Sequence, residues 1–77
     1  MKHMCYKYYE ENIKNFINVL NKINKENLKE ADKDMVKHIN KQVLIFETDL
    51  ENDGNESAEK IKKKIEEAKA LIKNLLQ

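Results

Sequence analysis

Residues 56–76, ESAEKIKKKIEEAKALIKNLL, decide how the rest of the chain is read. Ala58, Ile61, Ile65, Ala68, Ile72 and Leu75 follow one another at intervals of 3, 4, 3, 4 and 3. An α-helix turns by about 100° per residue, so alternating steps of three and four keep all six side chains on one side. The remaining positions are mostly lysine and glutamate. Glu56/Lys60, Glu59/Lys63, Lys62/Glu66 and Lys63/Glu67 are opposite charges four residues apart, each pair adding about 0.2–0.5 kcal/mol to a helix. Acids open the segment and Lys73 closes it, as the helix dipole favours.

Upstream lies DLENDGNE, residues 49–56, which holds the only glycine beside Asp and Asn and reads as a turn. Asn55 or Ser57 is the expected N-cap of the helix that follows. Earlier still, Leu28, Ala31, Met35, Ile39, Val43, Phe46 and Leu50 suggest a second apolar stripe. Leu44 and Ile45 fall off it, so Val43–Phe46 makes that helix apolar nearly all round. The first segment repeats the pattern of the last: Tyr6, Tyr9, Ile13, Phe16, Leu20 and Ile23 are spaced 3, 4, 3, 4 and 3. Between the first two segments the phase slips near residues 21–27. Asn24 or Asn27 can cap a new helix there, and Asn27 with Glu30 resembles a capping box. With no Gly or Pro to force a break, one continuous kinked helix is the alternative.

The expected fold is all-α: a small antiparallel three-helix bundle with helices at about 4–23, 28–48 and 56–76, forming a single domain over residues 1–77. If the first two helices merged, a long helical hairpin that dimerises would replace it. A chain this short buries only about 60% of its unfolded surface. With Cys5 alone and His3 far from His38, neither a disulfide nor a structural zinc site is expected to supplement the core.

Composition narrows function. All 15 cations are lysine, and the formal net charge is +1. Without arginine the chain lacks the forked side chain that reads phosphate and guanine, and it has no broad field to attract a polyanion. Nucleic acid is therefore a disfavoured partner. The dense run Lys60, Lys62, Lys63 and Lys64 is its candidate contact, but interleaved glutamates make a solvated, ion-paired face the plainer reading. The longest apolar run is too short to cross a bilayer, the start shows no signal-peptide pattern, and a lone cysteine suits a reducing interior, so a cytoplasmic address is expected. Abundant Lys, Asn and Ile with scarce Gly, Ala and Pro point to an AT-rich genome; size and composition suit a phage or mobile-element inhibitor of a host protein.

Three local patterns carry candidate chemistry. Asp49-x-Glu51-x-Asp53-Gly54 resembles the first half of an EF-hand loop, but the twelfth position, which needs a bidentate glutamate, is Lys60. The pattern therefore reads as an acidic turn, and no metal ligand set is expected. His38, one turn after Asp34, suggests a surface pair with no nucleophile to activate. Off-stripe apolar residues are the more informative feature. Leu44 and Ile45 face away from the expected core, and Tyr8 lies beside a face carrying Asn12, Asn15 and Val19. Tyr8, Val19, Leu44 and Ile45 are the candidate partner-binding residues. The expected function is a non-enzymatic module, without cofactor or small-molecule substrate, that docks on another protein or on a second copy of itself.

Overall fold

A computed structural model describes residues 5–77 as three α-helices and one short 3-10 turn, with no strand among them. The helices are α1 (Tyr6–Lys22), α2 (Glu30–Leu50) and α3 (Glu56–Leu76). They run up, down and up in a rod with principal extents of 43 × 19 × 18 Å. This is the three-helix bundle that the spacing predicts; the long hairpin is not what forms. Met4, the expected first residue of α1, lies outside the described residues.

The break between α1 and α2 is made without glycine or proline. Asn24 has extended backbone angles, and its side chain accepts a hydrogen bond from the Glu26 N–H at 3.0 Å. That bond starts the 3-10 turn Lys25–Asn27. Leu28 and Lys29 are again extended, so α2 starts two residues later than the sequence suggests. The capping box moves with it: the Asp32 carboxylate accepts from the Lys29 N–H at 3.1 Å, in place of an Asn27–Glu30 pair. Only that half of the motif can form, because a lysine side chain has no acceptor to offer. At the other end α2 runs on to Leu50, and Asn55 caps α3 by accepting from the Ser57 N–H at 2.9 Å.

The later start of α2 changes which residues it buries. Val36, Ile39, Val43, Phe46 and Leu50 form its core stripe, while Ala31 and Met35 are exposed. The reason lies in the spacing. Ala31, Met35, Ile39 and Val43 are separated by steps of four, and each such step drifts by about 40° around a helix. Val36 restores the alternation of three and four, and it is fully buried. α3 keeps the stripe its spacing implies, with Ala58, Ile61, Ile65, Ala68, Ile72 and Leu75 all in the core. α1 buries Ile13 and Leu20 of its stripe together with neighbouring Ile17, while Tyr6, Tyr9, Phe16 and Ile23 are partly buried against that core.

Side-chain size sets how the helices sit. α3 presents Ala58 and Ala68 and packs closely against both other helices. The seam between α1 and α2 is filled with rings instead. Phe46 meets Tyr9 edge-on at 4.9 Å, Tyr8 at 5.9 Å and Phe16 in a stack at 5.9 Å. These rings hold the α1 and α2 backbones apart, so α3, not α2, is the helix flanked by two close neighbours.

The ion pairs on α3 also differ from the i,i+4 set. Lys62–Glu59, Lys64–Glu67 and Lys69–Glu66 are three residues apart. Lys69 also reaches Glu47 on α2 at 2.7 Å, because helical side chains lean toward their own N-terminus and the two helices are antiparallel. That bond raises the Lys69 ammonium above its ordinary value, against partial desolvation and with support from Glu66. Half-exposed pairs of this kind are worth about 0–1 kcal/mol.

Two substitutions test this packing. Val36→Ala is expected to cost about 2 kcal/mol or more in urea unfolding, through two lost methyl groups and the cavity they leave; Met35→Ala should change stability by less than about 0.5 kcal/mol. The reverse ranking would restore the stripe read from the sequence. Gly54 has no positive φ, and a Cβ there would meet nothing within 4 Å. Gly54→Ala is accordingly expected to stabilise by about 0.4–1 kcal/mol, through a less flexible unfolded chain.

Candidate functional site

The turn that resembles half a calcium loop is tied to the start of α1. The Tyr6 hydroxyl donates to Asp53 Oδ2 at 2.6 Å, and the Tyr9 hydroxyl donates to Asp49 Oδ2 at 2.9 Å. Asp53 Oδ1 accepts the Asn55 N–H at 2.9 Å, and Lys62 Nζ donates to the Asp53 carbonyl at 2.8 Å and to Glu59 at 3.0 Å. Asp49 belongs to the last turn of α2, and Glu51 is exposed. The carboxylates thus serve as hydrogen-bond acceptors for two tyrosines 40 or more residues away in sequence. Among the described residues, no group of three or more His, Cys, Asp or Glu side chains is placed to hold a metal ion. His38 forms no ion pair with Asp34 among them, and His3 lies outside the described residues.

The two tyrosine bonds make stability depend on pH at both extremes. The Tyr6 hydrogen bond holds the Asp53 carboxyl below its ordinary value, with help from the Asn55 N–H and Lys62 and opposition from desolvation. The same bond, with burial and the Asp53 charge, raises the Tyr6 hydroxyl. Tyr9 is pushed up to about 12, first by burial and then by its bond to Asp49. A lowered carboxyl means the fold favours the ionised form. That stabilisation is complete above the unfolded value of 3.8 and is lost as pH falls through the lower folded one. A raised phenol means the fold favours the neutral form. That stabilisation is complete below 10.0 and fades as pH climbs toward about 12.

The four candidate docking residues are all exposed: Tyr8 by 54%, Val19 by 37%, Leu44 by 43% and Ile45 by 48%. Three of them share one side of the rod. Tyr8 touches Phe46 of α2, and Val19 lines the same hollow as Met35 near the α1–α2 connection. Ile45 sits one turn before Asp49, which bonds to Tyr9 of α1. At about 100° per residue, Tyr8, Asn12, Asn15 and Val19 line the α1 edge of this side, and Met35, His38, Gln42 and Ile45 line the α2 edge. Leu44 is turned away from them, toward Asn40 and Glu47 on the flank that meets α3.

The contribution of Met35 was hidden in the sequence, where steps of four make it resemble core. The other signal is what the α1–α2 side lacks. Between Tyr8 and Val19 on one helix, and Met35 and Ile45 on the other, these eight positions carry no lysine, aspartate or glutamate, in a chain that is 38% charged. Charges resume at the rim: Lys22, Lys29 and Asp32 line the hollow beside Val19 and Met35, while Glu11 lies on the back of α1 and Asp34 and Lys41 on the back of α2.

The lysine run divides. Lys62 is held at the turn, whereas Lys60, Lys63 and Lys64 line an open groove of about 710 Å³ between α1 and α3. Lys14 joins them from α1, Glu10 and Glu67 share the rim, and Ile13, Ile17 and Ile61 form the floor. The sequence run therefore does not act as one patch, and two carboxylates sit inside what remains of it.

With this geometry in hand, comparison against protein-family models, curated proteins and solved structures finds no match for the chain.

Chemical denaturation as a function of pH tests the tyrosine bonds. Stability should be flat between about pH 5 and pH 9 and should fall on either side. Tyr6→Phe is expected to shallow the acid limb and Tyr9→Phe the alkaline limb; limbs unchanged in both variants would mean that neither bond contributes.

Proposed function

We propose that this chain is a non-enzymatic protein-interaction module that docks through the α1–α2 side and thereby regulates or inhibits its partner. The observation that carries the reading is the composition of that side. Tyr8, Val19, Met35 and Ile45 stay exposed although the core closes without them. Interface centres are depleted in charge and enriched in tyrosine and methionine, with charged groups at the rim. The amides and imidazole between the apolar ends supply hydrogen bonds without fixed charge. Leu44, on the other flank of α2, would make at most a peripheral contact in this arrangement. A phage or mobile-element inhibitor remains one role that suits such a module.

A lysine-rich regulator of nucleic acid is the second reading, and Lys14 beside Lys60, Lys63 and Lys64 is what favours it. Glu10 and Glu67 in the same groove and the absence of arginine weigh against it. A labelled DNA or RNA duplex separates the two readings. Phosphate contacts lose affinity steeply with salt, whereas burial of apolar side chains tolerates it.

The direct test places a photo-crosslinking amino acid at position 45 or position 63 in the producing cell. Protein adducts are expected from position 45 and not from position 63. Val19→Ser and Ile45→Ser should together weaken the adduct-forming complex by at least about tenfold while each shifting stability by less than about 0.5 kcal/mol. Adducts confined to position 63, or shared equally, would move the docking surface to the lysine groove.

A further inference from the structure

We propose that the occupant of the α1–α2 side is a second copy of this chain, related by a two-fold axis lying in the plane of that side. This rests on the docking reading above and names its partner. The argument is one of charge and symmetry. In an isologous interface the same surface meets itself, so any fixed charge near the axis meets its own like. The groove side carries Lys14, Lys60 and Lys64 with Glu10 and Glu67 among them, so closing it on itself would take fixed charges of both signs out of water. The flank between α2 and α3 carries Lys69 paired with Glu47 and Glu66, and Lys62 paired with Glu59, and burying these half-exposed pairs would carry the same desolvation cost. The α1–α2 side alone carries no fixed charge between its apolar ends.

The order of residues along that side is self-complementary. Tyr8 and Ile45 stand at one end, Val19 and Met35 at the other, and amides with His38 lie between. A two-fold parallel to the helices sets Tyr8 over the partner's Ile45 and Val19 over the partner's Met35. A two-fold across them sets each apolar end over the opposite apolar end. Either operation leaves Asn12, Asn15 and Gln42 facing groups that both donate and accept. The apolar ends are about 16 Å apart along α1. Four exposed apolar side chains over that span make a weak, reversible dimer.

Light scattering or sedimentation equilibrium from about 5 to about 500 µM reads the result. The mass is expected to rise from 9.2 kDa toward twice that value. Gln42→Lys and Gln42→Glu each place a like pair near the axis. Each variant alone should dimerise at least about tenfold more weakly, and an equimolar mixture should recover the doubled mass. Gln42 is a half-exposed surface position, and circular dichroism checks that both variants fold. A wild-type mass fixed at 9.2 kDa throughout, or a Gln42→Lys chain that dimerises like wild type, overturns the proposal. If the wild type stays monomeric while the crosslinker at position 45 still captures a foreign protein, the second copy is wrong and the docking side stands. If it stays monomeric and position 45 captures nothing, both readings fall.

Discussion

Close packing of α3 against both other helices is the constraint on which this small bundle depends. A chain of this size has little apolar surface to remove from water, and it has neither disulfide nor described metal cluster to supplement it. α3 meets the need by setting Ala58 and Ala68 among Ile61, Ile65, Ile72 and Leu75 along one stripe. The alanines let neighbouring backbones approach, and the isoleucines fill the space between them. α1 and α2 are bulky where they meet, so aromatic rings, not close backbones, make their seam. No buried polar side-chain atom among the described residues lacks a hydrogen-bond partner.

The tyrosine–aspartate bonds bear on the same problem from one end of the rod. Tyr6 and Tyr9 bury their rings against the core and deliver their hydroxyls to carboxylates of the α2–α3 connection. Each bond links the beginning of the chain to a point 40 or more residues later, so it reports tertiary closure and not helix formation. Charge-assisted hydrogen bonds of this kind are stronger than neutral ones. They also explain why an acidic turn suggestive of cation binding is structurally occupied: Asp53 already accepts from Tyr6 and from the Asn55 N–H.

The three sides of the rod differ in a way that composition averages conceal. Two are lined with lysine and glutamate, while the third carries amides, a histidine and exposed apolar side chains. A net charge of +1 conveys nothing of this. Uneven distribution of polar and apolar side chains is what distinguishes a docking surface from ordinary solvent-facing helix, since single exposed apolar residues are common on any protein. The placement of Met35 beside Val19, and of Ile45 on the same side as Tyr8, turns scattered residues into a contiguous candidate.

The sequence by itself determined the all-α class, the apolar stripe of α3, the turn before it with Asn55 or Ser57 as its cap, and the outward direction of Tyr8, Val19, Leu44 and Ile45. These follow because spacing specifies the angle of each side chain around its own helix axis. Tertiary structure decided what spacing does not encode: that Val36 and not Met35 enters the core, that α3 has the two close neighbours, that Asp49 and Asp53 face tyrosines, and that Leu44 parts from Ile45. Each depends on which helix stands beside which. That choice comes from side-chain volumes summed across the whole core, together with a chain break at Asn24 set by one side-chain hydrogen bond.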